Sequence, residues 1–429
     1  MATSEATPKM SCRAGSKLFQ PLAIADGRIN LEHRVIHAPM TRNRGVPLQH
    51  VSTPENPNRI WYPGDLMTTY YGQRATKGGL IVTEGVPISF ESNGMPGVCG
   101  IFTPEQVNGW KRVVDAVHSK GGYLYCQLWH AGRATIPQMT GSPAVSASAT
   151  VWDSPSECYS HIPEGYDAPV RYSDHPPVEM SVSHIKSTIQ DYCRAARTAM
   201  EIGFDGVEIV AHNGYLAEQF LSTNINKRTD EYGGTIEKRC AFVLELMDEL
   251  ARAIGGHNLA IRLTPFGLFN QARSEQRVET WTFLCQRLKE QIPNLSYVSF
   301  IEPVSSSRES PRISSSFVAQ IHEQYFSNEE KMAFLRDWGL ADVTLDTFRN
   351  IFAETPFFSA GGWNDKNAWE VIETGKYDGL LFARLFASNP DLVYRLKHGL
   401  GLAQFEQQKF FGPFEDNAAG YIDYPSLED

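Results

Sequence analysis

The side chains best equipped for chemistry stand together near the middle of the chain, in Gly206-Val207-Glu208-Ile209-Val210-Ala211-His212-Asn213-Gly214-Tyr215-Leu216. An imidazole, a carboxamide and a phenol, all able to exchange hydrogen bonds, follow directly on a short apolar run. Val207 to Ala211 reads as a fully buried strand. His-Asn-Gly then breaks it, a combination that tolerates a sharp turn. Leu216, Phe220 and Leu221 resume at helical spacing. Polar groups at the C-terminal mouth of a buried parallel strand sit where α/β barrels keep their active sites. The plainer alternative is a strand end whose Tyr packs on a neighbouring loop.

Such a mouth needs a scaffold, and the chain supplies one. Besides Val207 to Ala211, seven short apolar runs read as strands: Val35 to Met40, Leu80 to Glu84, Tyr123 to Trp129, Leu259 to Leu263, Tyr297 to Ile301, Pro356 to Ala360 and Leu380 to Ala383. Amphipathic segments lie between them at Val107 to His118, Ile185 to Ile202, Arg239 to Ile254 and Asn364 to Glu373. Eight strands alternating with helices predict an α/β fold, a (β/α)8 TIM barrel. A doubly wound open sheet is the alternative, weakened because no G-x-G-x-x-G opens a βα unit. Residues 45–65, 131–183 and 303–316, rich in Pro, Ser or Asn, interrupt the repeat after strands 1, 3 and 6. They are expected to hang over the active face as lid loops, the second as the main wall of the substrate pocket.

The whole chain narrows the classes further. Its 429 residues suit one decorated barrel, with residues 1–17 as a disordered arm and 18–429 as a single domain. A formal charge of −10, from 39 Lys+Arg against 49 Asp+Glu with no basic run, argues against nucleic acid. Seven dispersed cysteines with no C-x-x-C pair speak against a metal site and for reduced thiols inside the cell. Met1 to Lys17 has no apolar core, and no run is long enough to span a membrane. The expectation is a cytoplasmic protein, monomer or homodimer, whose partner is a small-molecule substrate.

Longer motifs sharpen this. Asn226-Lys227-Arg228-Thr229-Asp230-Glu231-Tyr232-Gly233-Gly234-Thr235, with Arg239 behind it, is similar to the N-x-R-x-D-x-Y-G-G-S motif of the Old Yellow Enzyme family of FMN-dependent ene-reductases. Ala38-Pro39-Met40-Thr41-Arg42, Gln127 to Arg133, Ser146 to Ala149 and Gly420-Tyr421-Ile422-Asp423-Tyr424-Pro425 extend the resemblance from Leu18 to Pro425. It implies FMN on the barrel mouth, NAD(P)H as reductant, and reduction of the activated C=C of an α,β-unsaturated carbonyl compound. By the same resemblance Pro39, Met40, Thr41, Gly85 and Gln127 line the flavin, Thr41 near its C4 carbonyl. Gly361, Gly362, Ala383 and Arg384 would hold its phosphate, for which backbone N–H groups and a cation are apt. Arg262, inside an apolar run, suits the negative charge of reduced flavin. Tyr215 matches the proton donor, and a phenol with pKa near 10 stays protonated at neutral pH.

One departure stands out. The family grips the substrate carbonyl with His-x-x-Asn or His-x-x-His, whose second member lies two positions before the Tyr. Asn213 fills that second place, but the first is Val210, which donates nothing. His212 is adjacent, yet on a strand its side chain would point opposite to Asn213. Phe411 likewise stands near where relatives carry a Tyr, and Trp129 completes the expected substrate wall. Loss of a donor to a developing enolate costs on the order of 2–4 kcal/mol. Hence the leading expectation is reduction of a specialised, secondary-metabolite substrate. The alternative keeps the flavin but gives net isomerase, dehydrogenase or cyclase chemistry, and a third reading is a catalytically silent flavin-binding scaffold.

Overall fold

The structure is a computed structural model in which residues 13–49, 51–53, 55–163, 165–267, 269–302 and 344–427 are described. Its centre is a closed barrel of eight parallel strands: β1 (Val35–His37), β2 (Leu80–Pro87), β3 (Tyr123–Trp129), β4 (Gly206–Ala211), β5 (Leu259–Leu263), β6 (Tyr297–Ile301), β7 (Phe357–Ala360) and β8 (Gly379–Phe382). Leu380 and Leu381 pair with Val35 and Ile36, which closes the ring and rules out an open doubly wound sheet. Parallel strands packed by helices are buried on both faces, and every residue of β2, β4 and β5 is buried accordingly. The first strand stops at His37, short of the expected Met40, because Pro39 has no N–H to continue the ladder. The second runs three residues past Glu84, through a bulge between Val82 and Gly85.

Local chemistry places the helices outside the ring. Pro104–His118 starts with a capping box between Thr103 and Gln106 and buries Trp110, Val113, Val114 and Val117 at helical spacing. Val182–Glu201 and Ile236–Ile254 are capped by Ser181 and Thr235. Inside the ring, Ile36, Leu80, Tyr125, Ala260, Tyr297, Phe358 and Leu381 form one apolar cluster. A hairpin of Leu22–Ile24 and Ile29–Leu31 plugs the N-terminal end of that cluster with Ile24, Ala25, Ile29 and Leu31. The open end is therefore the C-terminal one.

Two of the inserts are described, each following a strand of the barrel. Residues 45–65 contain an antiparallel pair, Val46–Pro47 with Trp61–Tyr62. Residues 131–183 contain a parallel pair, Val145–Ser146 with Val178–Glu179. This second insert is tied across the mouths of β4 and β5: Thr150 Oγ1 donates to Ile225 O (2.7 Å) and Asp153 N to Gln271 Oε1 (2.7 Å). The third, 303–316, lies outside the described residues. So do residues 1–12 of the expected arm. Residues 13–17 depart from that expectation and pack on the barrel: Arg13 N donates to Lys397 O (3.1 Å), and Ser16 Oγ and Lys17 N both donate to Glu373 Oε1 (2.8 Å). Among the described residues no helix is long and apolar enough to cross a membrane.

Candidate active site at the barrel mouth

Strand β4 ends at Ala211, and the chain turns sharply there. Asn213 (φ 56°) and Gly214 (φ 66°) both adopt the left-handed region, so extended alternation stops one residue after the strand. Gly214 is required at its place, since a Cβ would lie 2.4 Å from Phe269 O. The turn is locked from below. Gly214 N donates to Glu218 Oε2 (2.7 Å), and Gln219 Nε2 donates to Gly214 O (2.8 Å) and Ala131 O (3.1 Å). Tyr215 then starts the helix Leu216–Leu221, with Leu216 N donating to His130 O (3.1 Å). Its ring stands edge-on to Trp129, with centroids 5.0 Å apart at 81°. Burial pushes the Tyr215 phenol well above its ordinary pKa of 10, and the side chain of Asn270 beside it offsets this in part. Asn270 Nδ2 also donates to Asn213 O (2.8 Å), so one side chain braces both members of the pair.

Around the pair the walls differ in character. Val210 is buried in a small apolar cluster with Val98, Trp129 and Ala131, against which Met95 and Tyr215 pack. The place of the expected first donor is thus taken by packed apolar side chains. The departure from a straight strand comes at Asn213, next to His212. The His212 ring is 6.4 Å from that of Tyr215 at 72°, and Asn213 lies alongside because the turn has swung it round. Burial and the positive charge of Arg262 hold the imidazole far below its usual pKa, hence neutral. Phe411 is half-buried and edge-on to Phe410 (4.9 Å, 70°). It is brought beside the Thr41–Arg42 loop by Gly412 N, which donates to Arg42 O (3.0 Å). The buried guanidinium groups of Arg42, Arg44 and Arg74 clasp this C-terminal segment through the carbonyls of Phe410 (2.9 Å), Lys409 (2.9 Å) and Tyr421 (3.1 Å).

Inside the mouth lies a charged network. Val210 is the register partner of Arg262, and Glu208 that of Gln127. Gln127 Nε2 donates to Glu208 Oε1 (2.7 Å). Burial draws the Arg262 pKa down while Glu208 and Tyr297 pull it back up; burial also raises Glu208, opposed by Arg262 and Gln127. Two of the Arg262 guanidinium nitrogens, Nε and Nη1, have no partner among the described residues, although buried polar groups seldom lack one. A buried cation with two nitrogens left to pair fits the electron-rich edge of a flavin. Half-buried Pro39 and Thr41 and buried Met40 follow β1, and Arg42 N donates to Glu84 Oε2 (3.3 Å) to fix their loop. Gly85 admits the Trp129 ring, which would lie 3.3 Å from a Cβ there.

The residues expected to hold the phosphate, Gly361, Gly362, Ala383 and Arg384, follow the ends of β7 and β8. Gly362 has φ 75° and open space around it, whereas a Cβ on Gly361 would meet the Glu302 side chain at 2.7 Å. The carboxylate of Glu302 accepts from Ser359 Oγ (3.3 Å) and from the Tyr377 hydroxyl. The helix Arg384–Ser388 starts from Ala383, whose side chain has no hydrogen-bonding group with which to cap it. The Arg384 guanidinium lies over Phe405 (5.2 Å), and burial lowers its pKa. Small residues, backbone N–H groups and a cation are the kinds of group an anionic phosphate needs.

Not every motif residue stands at the mouth. Asn226 Nδ2 donates to Phe220 O (2.7 Å) and Tyr232 O (2.8 Å), and Arg228 Nη1 donates to Ala147 O (2.9 Å) and Met180 O (2.6 Å). The longest motif is therefore a knot that pins the 131–183 insert to the exit of β4. Sequence reasoning missed Glu208 and Asn270. A carboxylate inside an apolar strand was a signal for the first; the second lies in a loop with none.

The pattern of the NADH:flavin oxidoreductase / NADH oxidase family matches residues 17–403. Flavin oxidoreductase hxnT of Emericella nidulans is 39% identical over 411 residues, 95% of this chain and 97% of that protein. 12-oxophytodienoate reductase 7 of Oryza sativa subsp. japonica is 34% identical over 428 residues, 98% of this chain and 97% of the relative. Among solved structures, morphinone reductase is similar with a TM-score of 0.77 at 32% identity, over 99% of this chain and 98% of its own.

Proposed function

Because the chain belongs to the NADH:flavin oxidoreductase / NADH oxidase family, that of the Old Yellow Enzymes, and is an FMN-dependent NAD(P)H oxidoreductase, we propose that it reduces the activated C=C bond of an α,β-unsaturated carbonyl compound. Bound FMN supplies hydride transfer from the nicotinamide to the alkene. Asn213 holds the carbonyl oxygen, and Tyr215 delivers a proton to the carbon beside the carbonyl. The observation that carries the reading is the Tyr215 phenol, kept protonated by burial and fixed against Trp129 two residues from Asn213. Arg262 supports it as the cation that balances charge on the flavin, with Gln127 oriented by Glu208. Pro39, Met40, Thr41 and Gly85 line the ring, while Gly361, Gly362, Ala383 and Arg384 take the phosphate.

The substrate on this reading is a specialised secondary metabolite, as the long 131–183 insert and the apolar surroundings of Val210 favour a shaped pocket over a general one. Residues 45–65 and 131–183 act as its lids. A cytoplasmic location and a monomeric or homodimeric state belong to the same reading. Val210 also favours a second possibility: with one carbonyl donor fewer, the flavin serves a net isomerisation, dehydrogenation or cyclisation. Stoichiometry separates the two. Reduction consumes one NADPH per product formed, measured by absorbance against chromatographic yield; turnover without net NADPH loss would overturn it.

A further inference from the structure

Resting on the reading of Tyr215 as proton donor but going beyond it, we infer that Glu218 and Arg277 are positioning residues for that phenol. Together they clamp the turn after β4 to the loop after β5, so that Tyr215 is held in one place. Both side chains are 1% exposed, and Arg277 Nη1 stands 3.5 Å from Glu218 Oε1. Packed apolar side chains would stabilise a fold as well as a buried ion pair does, but a pair can also fix one conformation. Here the conformation it fixes is that of two turns in direct contact. Phe269 O lies 2.4 Å, and Asn270 Cβ 2.8 Å, from where a Cβ on Gly214 would stand.

Glu218 is the first half of the clamp. The helix Leu216–Leu221 starts from Tyr215, whose side chain makes no cap bond. Glu218, at the third helical position, reaches back instead and accepts from Gly214 N (2.7 Å), like the returning arm of a capping box. Burial lifts its carboxyl to about 7 against the pull of Arg277 and the Gly214 N–H. Ionised or protonated, it still offers an acceptor oxygen, so the hold on Gly214 does not depend on pH. Arg277 is the second half. Its guanidinium donates to the carbonyls of Pro265 (3.0 Å), Gly267 (2.7 Å) and Ala272 (2.8 Å), on both sides of Asn270. Asn270 and Gln271 have φ of 53° and 56°, a region uncommon outside glycine that persists where the surroundings enforce it. Held there, Asn270 donates to Asn213 O (2.8 Å), and its side chain lies beside the Tyr215 phenol. One ion pair thus joins the backbone that carries the phenol to the side chain that borders it.

The test bleaches FMN-loaded protein with NADPH in the absence of oxygen and follows its reoxidation by 2-cyclohexenone in stopped flow. Amide exchange of residues 212–216 is read by mass spectrometry on the same proteins. Glu218→Leu slows reoxidation about 10–100-fold, leaves bleaching unchanged and speeds exchange at Gly214. Glu218→Gln, which keeps the acceptor, recovers most of the rate. A double variant carrying Glu218→Leu and Arg277→Met removes both charges, which guards against a chain that fails to fold around one unpaired charge. Its loss is no greater than that of the worse single variant, since the two residues act as one unit. In a Tyr215→Phe background either change costs at most about threefold, because no phenol remains to be misplaced. Wild-type reoxidation or wild-type exchange in Glu218→Leu and in the double variant overturns the inference. So does an equal loss in the Tyr215→Phe background, or a loss that bleaching shares; the reductase reading survives each of these. A wild type whose bleached flavin the enone does not restore overturns both readings.

Discussion

Replacing Arg262 by Met tests the charge network with little change in volume. The guanidinium is buried, faces Glu208, and has two unpartnered nitrogens. Taking its charge as roughly 6 Å from the anionic edge of reduced flavin, an effective dielectric of about 20 gives about 2.8 kcal/mol of stabilisation. For a two-electron couple that corresponds to about 60 mV. Glu208 stands two residues below Val210, the register partner of Arg262, so its carboxylate is roughly 6 Å deeper and opposes by about half as much. Two values follow. Arg262→Met lowers the midpoint potential by about 60 mV if Glu208 stays ionised, and by about 30 mV if it takes up a proton. Glu208→Gln alone raises it by about 30 mV. Anaerobic equilibration with a reference dye at pH near 7 measures all three. A potential that does not move in Arg262→Met, in protein that retains FMN, would refute the placement of this cation.

Three further outcomes follow. Tyr215→Phe slows reoxidation of bleached flavin by a cyclic enone by about 10²–10⁴-fold in stopped flow and leaves bleaching by NADPH unchanged. Because burial holds the phenol above its ordinary pKa, the wild-type rate of that step is flat from about pH 6 to 9; a fall in rate with a midpoint inside that range would count against Tyr215 as the acid. Burial lifts the Glu84 carboxyl from 4.5 to about 7, against the opposing pull of the Arg42 N–H and charge. The folded state therefore keeps a proton that the unfolded chain has lost, and this stability fades as pH rises from about 4.5 through about 7. Relative to wild type, Glu84→Gln gains up to about 3 kcal/mol between pH 5 and 8, read from paired denaturant melts; a constant difference would refute the shift. Gly361→Ala forces a Cβ to within 2.7 Å of the Glu302 side chain and weakens FMN retention, as titration of apoprotein by flavin fluorescence would report.

The barrel was legible because each strand is a short apolar run that must be buried on both faces, and closure needs eight of them. Arg262 was legible for the opposite reason, as a charge too costly to bury without a purpose. What escaped depends on backbone turns and distant partners. The closeness of the Asn213 carboxamide to His212 follows from the positive φ of Asn213, which strand alternation does not anticipate. The plug of Ile24 and Ile29 and the clasp of Arg42, Arg44 and Arg74 join segments far apart in the chain. The strongest motif, Asn226 to Thr235, carries the resemblance yet pins the 131–183 insert, whereas the smaller groups at the mouth are those to which the proposed chemistry is assigned. Residue type announces a motif; only packing distinguishes a knot from a site.

The central claim, that this mouth passes hydride from a nicotinamide to an activated alkene, is tested most directly by separating the two halves of turnover. The purified protein with bound FMN is held without oxygen, NADPH is added until the flavin absorbance bleaches, and an α,β-unsaturated ketone follows. The account predicts that oxidised flavin returns and that one saturated ketone forms per flavin. Flavin that stays bleached, with the ketone recovered unchanged, would contradict it.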